Sequence, residues 1–295
     1  MKKNENDIYL INKEGTELRK LQLTEIEVLD EIVRICKKHK LQYFLLAGTC
    51  LGAVRHSGFI PWDDDIDIGM PREDYEKFLN IALDELDEKY FLQYYKTDEN
   101  YYLGFAKVRK NNTSFITKGF EKKKGHQGFF VDIFPIDYNT DAKSKLLRLE
   151  VSLARCIIET LKYKNGNLYF KHLRRPLLSM LFLPFTNHML HKIVNKLYQL
   201  NNQKDHKYAA IYSNIYHYSK DIYPFNKVFP GKKVMFEGKE YTIYQDYDFY
   251  LNQLYGDYMT IPKKENRVTH NYLKLSFDEG VVLNSRKEYN RLNKK

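Results

Sequence analysis

Apolar positions along the chain change period several times, and each change marks an element. From Thr24 the spacing is three and four, with Ile26, Leu29, Ile32, Val33 and Cys36 on one stripe. Thr24-Glu25-Ile26-Glu27 has the form of a capping box, so a helix is predicted to open there. Gln42–Ala47 (QYFLLA) is a continuous apolar run, predicts a buried strand and stops at Gly48-Thr49, before a short helix over Cys50–His56. Asp64–Met70 alternates and predicts a second strand; Pro71 then opens a helix over PREDYEKFLNIALDELD, with proline in its favoured first turn. Strand-like runs follow at Phe91–Tyr95, Leu103–Val108, Ser114–Thr117 and Gly128–Phe134. Residues 141 to about 205 read as helical, and Tyr208, Tyr212 and Tyr216 continue at helical spacing as a core stripe. A hairpin is expected over Lys233–Ile243 and a last helix over Tyr247–Tyr255, while the final 20 residues are polar and weakly patterned. The pattern predicts an α/β (or α+β) fold in one domain, residues 1–295: a core from 22–140 and 232–275, with a mainly helical section over 141–231.

Composition narrows the picture little. Apolar residues make up 43% and charged residues 29%, as in an ordinary globular protein. Lysine and arginine exceed aspartate and glutamate by 48 − 38 = 10, a surplus that suits nucleotides, nucleic acid, anionic lipids or anionic polymers without choosing among them. Cys36, Cys50 and Cys156 lie far apart, with neither metal-ligand nor disulfide spacing. The N-terminal stretch MKKNENDIYLINKEG has no signal-peptide pattern, and no run of 18 apolar residues exists, so a cytoplasmic location is the expectation.

The chemistry concentrates in GFIPWDDDIDIGM, residues 58–70, an acidic exception in a basic chain. On a strand, Ile66 and Ile68 point one way and Asp65 and Asp67 the other. Asp63 joins that pair if the strand extends back, and Asp64 falls on the apolar side or in a turn. Parallel carboxylates on a rigid strand form a hard-oxygen site suited to Mg2+ or Mn2+. An EF-hand reading of Asp63, Asp65 and Asp67 fails, because Ile68 stands where the loop needs glycine. Asp132 lies inside the apolar run GFFVDIFPID on the face of Phe130 and Phe134, where a carboxylate is costly without a cation or hydrogen bonds. Asp137, after Pro135, reads as a turn or cap. Gly48 and Thr49, at the end of a strand and before a helix, are candidates for holding a phosphate. Arg55, Lys107 and Arg109 are candidate phosphate clamps, the last two on one strand face. His56 and His126 are read as structural.

Strand, Gly-hydroxyl turn, short helix and a strand bearing Asp-x-Asp is the layout of nucleotidyltransferases. LLAGTCLGAVRHSGFIPWDDDIDIGMPREDYEKF resembles the signature of the LicD family, GFFVDIFPID its second block and FEGKEYTIYQDYDFYLNQLYGDYM its C-terminal block. The resemblance covers roughly 22–138 and 232–270, with little matched between; Cys50 stands where leucine is expected. It implies a nucleotidyltransferase-like mixed sheet flanked by helices. It also implies metal-dependent transfer of a phosphorylated alcohol, typically from CDP-choline, to a sugar of a teichoic acid, lipooligosaccharide or related glycan, with release of CMP. Fukutin-type proteins, similar in the acidic block, use CDP-ribitol. By position the acidic residues are Asp65, Asp67 and Asp132, with Asp63 as a further candidate ligand. In that scheme Asp132, or a triad carboxylate left free by the metal, takes the acceptor proton.

Other CDP-alcohols (ethanolamine, glycerol, ribitol) remain alternatives. A nucleotide-sugar glycosyltransferase would carry a long doubly wound half before its Asp-x-Asp, whereas only about 60 residues precede it here. A non-catalytic polyanion binder needs no acidic triad, and nucleic acid is not an expected partner. Lys171, His172, Arg174 and Arg175 precede the short apolar stretch Pro176–Phe185. A core helix and a contact with the inner face of an anionic membrane are the two readings there, the second suiting a lipid-linked acceptor.

Overall fold

The computed structural model describes residues 6–118, 121, 125–166, 176–202, 206–214, 220–270 and 272–293. Helix α1 spans Glu17–His39 and opens well before Thr24: the Thr16 side chain accepts from the Arg19 N–H and caps it. Thr24 lies in the middle, its hydroxyl donating to the Lys20 carbonyl at 2.8 Å. The capping box at Thr24 is therefore corrected. Thr16 is as good a cap, and ELRKLQL between the two sites favours helix.

Strand β1 is only Phe44–Leu45, and α2 (Ala47–His56) starts earlier than predicted, so that Gly48 and Thr49 belong to its first turn. Then come β2 (Ile66–Pro71), α3 (Arg72–Glu85), β3 (Tyr90–Gln93), β4 (Ala106–Lys110), β5 (Ser114–Thr117) and β6 (Phe130–Asn139). The main sheet runs β1-β2-β6-β4-β3. Its β2–β6 pair is parallel and the others are antiparallel. Alternation decides its faces. Ile66, Ile68, Val131 and Ile133 join the large apolar core with α1 and α3 residues such as Leu29, Ile32 and Phe78. Asp67, Asp132 and Lys107 fall on the opposite face.

Strand β6 outruns its predicted end at Phe134. Its first half pairs β4 up to Ile133, and its last residues pair β7 (Tyr208–Ala210) from Asp137 onward. Pro135 falls between those two pairings, where a residue lacking an N–H is tolerated. Asp137 is thus a buried strand residue rather than a turn or cap. Its carboxylate accepts from Arg72 Nε at 2.8 Å and Nη2 at 2.6 Å, and from Asn202 Nδ2 at 2.8 Å. Burial pushes the Asp137 carboxyl up, and the Arg72 charge and hydrogen bonds oppose it.

The 141–231 section is mixed. Helices α4 (Lys145–Lys164), α5 (Pro176–Met180) and α6 (Asn187–Gln199) match the helical reading. Tyr208, however, lies in β7, which pairs β8 (Ile222–Pro224), so the helical tyrosine stripe is corrected; Tyr216 lies outside the described residues. Leu147, Val151, Ile157 and Leu161 of α4 pack with Leu190 and Val194 of α6 in a second apolar cluster. Around α5 the core reading holds only in part: Ser179 is buried and Phe182 packs against that second cluster, but Leu177 is 81% exposed and Met180 and Leu181 are exposed too. The basic residues before it, 171–175, lie outside the described residues. No helix among the described residues is long and apolar enough to cross a membrane.

After the short α7 (Phe225–Val228), the hairpin β9 (Lys232–Phe236) and β10 (Lys239–Ile243) and then α8 (Tyr247–Tyr255) form as predicted. The weakly patterned tail is ordered by partners rather than by its own periodicity: β11 (Tyr272–Ser276) pairs β5, and α9 (Ser285–Leu292) packs on α3 and β3.

The Arg72–Asp137 pair ties the start of α3 to the end of β6. Arg72→Met is expected to destabilise the fold by about 3–5 kcal/mol, because Asp137 is left buried and uncompensated, and Arg72→Met/Asp137→Leu by much less. Urea unfolding of both variants checks this; equal losses would show that the charge pair itself, rather than the orphaned partner, is what matters.

Candidate active site

The cross-strand register builds the site. Asp67 on β2 is opposite Asp132 on β6, which is opposite Lys107 on β4, which is opposite Gln93 on β3. Side chains in register on adjacent strands share a face, so two carboxylates and an ammonium stand in one row. Lys107 Nζ lies 2.5 Å from Asp132 Oδ1 and 3.6 Å from the centre of the Phe130 ring. Burial pulls the Lys107 ammonium down, and the Asp132 charge opposes that. Arg109, one step along the same face, donates through Nε to Gln93 Oε1 and through Nη1 to the Gly128 carbonyl, and stacks over Phe130.

Asp65 precedes β2 on the Asp67 side. Burial lifts its carboxyl to about 6; His270 opposes the rise, and Asp132 and Asp64 add to it. Burial and then the Asp65 charge also push Asp67 and Asp63 up. Asp63 Oδ2 has no hydrogen-bond partner, and Asp132 Oδ1 has the Lys107 ion pair alone. Such oxygens cost free energy unless protons or a cation take them. Asp64 turns the other way, and its carboxylate accepts from the His270 N–H at 2.9 Å while its Oδ1 lies 2.9 Å from His270 Nδ1.

Two groups go beyond the sequence reading. His270, brought in by the residues leading into β11, stands over both Asp64 and Asp65, with Nε2 3.7 Å from Asp65 Oδ2. Burial works against its charge, but the Asp64 hydrogen bond and the charges of Asp65 and Asp64 outweigh it and raise its pKa to about 9. Nothing in the polar tail marks it. Glu25 is fully buried with both carboxylate oxygens unpartnered, and burial followed by the charges of Asp65, Asp64 and Asp63 pushes it up. A signal for it existed: Glu25 sits midway between Leu21 and Leu29 on the apolar stripe.

The other candidates serve differently. Thr49 accepts the Asp67 N–H at 2.9 Å and so fixes the acidic strand from behind. Gly48 gives room, since a Cβ there would stand 2.9 Å from Asp63 Oδ2. Neither lines the cleft over the carboxylates. Arg55 does not line it either: its Nη1 donates to the Tyr258 carbonyl at 2.7 Å and its Nε lies 2.9 Å from His56 Nε2. That cleft, about 930 Å³, is lined by Asp65, Asp67, Asp132, Lys107, Arg109 and His270 on the sheet side and by α4 on the other. Asp64, Asp65 and His270 also lie close enough together to share a cation.

A family model described as "LicD/FKTN/FKRP, nucleotidyltransferase domain" matches residues 40–186, which includes α4 as well as the acidic block. The chain is 28% identical over 273 residues, 86% of its length and 95% of the other, to the lipopolysaccharide cholinephosphotransferase LicD of Haemophilus influenzae. It is 32% identical over 124 residues, 40% of this chain and 46% of the other, to an uncharacterized protein of Rickettsia prowazekii. Fold and relatives together define an α/β phosphotransferase. The chain belongs to the LicD family.

The charge arrangement sets a pH dependence. An unfolded Asp65 titrates near 3.8 and the folded one near 6, so the folded chain holds more protons between these values, and stability falls as pH rises through that window. His270 contributes stability fully present below its unfolded value of 6.5 and lost as pH rises through about 9. In a chelating buffer, Asp65→Asn is expected to flatten the fall in Tm at the acid end and His270→Gln at the alkaline end. Calorimetric scans across that range check this, and profiles parallel to the wild type in both variants would contradict it.

Proposed function

We propose that the protein transfers phosphocholine from CDP-choline to a hydroxyl of a cell-surface saccharide precursor and releases CMP. The observation that carries this reading is the row Asp67–Asp132–Lys107, half-buried at Asp67 and buried at the other two, with Asp65 beside it on the floor of an open cleft. Similarity to the Haemophilus cholinephosphotransferase supports the choice of alcohol. Mg2+ or Mn2+ fits the donor set, since the carboxylates are hard ligands, several are pushed up by burial and by one another, and two oxygens lack a hydrogen bond. Asp65, Asp67 and Asp132 would hold the ion, with Asp63 a further candidate. When bound, it would neutralise the donor's diphosphate as charge develops on the leaving CMP.

The chain's own groups supply the rest. The acceptor oxygen forms a bond to the choline-bearing phosphorus, the bond from that phosphorus to the oxygen of CMP breaks, and the acceptor proton passes to a carboxylate. Asp132 suits that role, because Lys107 fixes its orientation. Lys107 and Arg109 provide positive charge toward the phosphates. Arg109 does so from a fixed position, given its bonds to Gln93 and Gly128. His270 steadies Asp64 and Asp65. A lipid-linked acceptor would put the enzyme at the inner face of a membrane.

Metal-dependent CMP release is expected with CDP-choline in preference to CDP-ethanolamine, CDP-glycerol and CDP-ribitol, and none from UDP-sugars. Asp65→Asn and Asp67→Asn are expected to reduce turnover by about 10³-fold or more, with stability in chelator unchanged or raised as one like charge is removed. Asp132→Ala is expected to cost about 10²–10⁴-fold. Near-normal turnover in Asp132→Ala would reduce that residue to a structural role, and normal turnover in both asparagine variants would remove the site.

A further inference from the structure

Helix α4 forms the cleft wall opposite the carboxylates, and the reading above gives it no task. Its apolar side, Leu147, Val151, Ala154, Ile157 and Leu161, is buried against α6. The stripe beside it carries Arg148, Arg155, Glu159 and Lys162, spaced by seven, four and three residues, and all four line the cleft. Within this stripe, cations outnumber acids three to one. At 1.5 Å per residue, the row from Arg148 to Lys162 runs about 21 Å. A diphosphate is far shorter and already has Lys107 and Arg109 beside the triad. Choline is a cation and cytosine is neutral, so neither end of the donor calls for a long positive wall. A ligand with repeated negative charges does. The buried rings of Tyr102, Tyr198 and Tyr212 back the same cleft, and Lys162 Nζ lies 5.8 Å from the Tyr102 ring. At Gly104 the loop before β4 packs so closely on this lobe that a Cβ would stand 3.2 Å from the Tyr198 ring. The α4 wall is therefore joined directly to the strand that carries Lys107.

We propose that the Arg148–Arg155–Lys162 stripe binds the acceptor, and that the acceptor is an anionic saccharide carrying phosphate or carboxylate groups on several of its units. This rests on the phosphotransfer reading for the word acceptor, while the anion preference of the stripe stands on the charge and length of α4. The stripe selects the acceptor by charge and lays it along the cleft, with one hydroxyl delivered to the carboxylates.

The test separates binding from turnover. A fluorescent glucose hexamer phosphorylated at O6, a galacturonate hexamer and an unmodified glucose hexamer are titrated by anisotropy, without donor, at two salt concentrations. The wild type is expected to bind the two charged hexamers, more weakly at high salt, and to prefer both over the neutral one; binding of one charged hexamer alone names phosphate or carboxylate as the recognised group. Arg148→Gln/Lys162→Gln keeps Arg155 in place and is expected to weaken binding about fivefold to thirtyfold. Lys232→Gln/Lys233→Gln removes two exposed cations outside the cleft and should leave affinity unchanged. Equal affinity for the neutral hexamer, no loss in the α4 variant, or an equal loss in the control variant would overturn the proposal. CMP release from CDP-choline by the wild type is measured alongside. Its absence together with the expected binding pattern would remove the donor assignment and leave the anion-binding wall standing.

Discussion

The structure depends on keeping several buried and half-buried carboxylates together at one corner of a sheet. Asp67 and Asp132 stand in register on parallel neighbours, Asp65 and Asp63 lie just before the first strand, and Glu25 comes in from α1. Mutual repulsion and desolvation both disfavour their charged forms. Lys107 and His270 offset part of this, and Thr49 and the Gln22 side chain, which donates to the Asp63 carbonyl at 2.9 Å, hold the backbone that presents them. Further out, the Glu237 carboxylate accepts from the Phe59 N–H and pairs with Arg19 at 2.7 Å, which fixes the loop that leads into the cluster. A divalent cation would relieve this repulsion, and in the proposed function it would hold the donor's diphosphate.

Where the local pattern decides the structure, the sequence was legible. The Ile-Asp alternation across Asp65–Ile68 assigned the faces of β2 correctly, and the isolation of Asp132 in an apolar run pointed to the same site from another strand. Lys107 and Arg109 were likewise read from their shared strand face. The register that sets Asp132 beside Asp67 is a long-range property and had no local mark. His270 and β11 lie in a tail whose order comes from pairing with β5, so periodicity carried no signal there. Thr49 followed the rule that groups at a helix start meet phosphate, and Arg55 the rule that a cation near the motif clamps it, but their hydrogen bonds in the structure go to the Asp67 N–H and the Tyr258 carbonyl. Asp137 was misread because proline usually ends a strand, whereas here it sits at a change of partner strand.

The helical section shows the same division at larger scale. Its periodicity gave α4 and α6 but not β7 and β8, which extend the sheet through the far end of β6. That extension joins the α4 lobe to the sheet, so that α4 and the carboxylate-bearing strands line one cleft. Under the two proposals above, chemistry falls to the part of the cleft built from register and acceptor selection to the part built from helical spacing.

The central claim is that the carboxylates of the cleft are held partly protonated and exchange protons for a divalent cation. Isothermal titration of the metal-free protein with Mg2+ near pH 6, repeated in buffers of different ionisation enthalpy, measures this directly. Release of about one proton or part of one per ion bound is expected, because Asp65 titrates near 6 with Asp67 and Asp63 raised alongside it, and Asp67→Asn should lose most of the binding. Binding without proton release, or undiminished binding in Asp67→Asn, would contradict it.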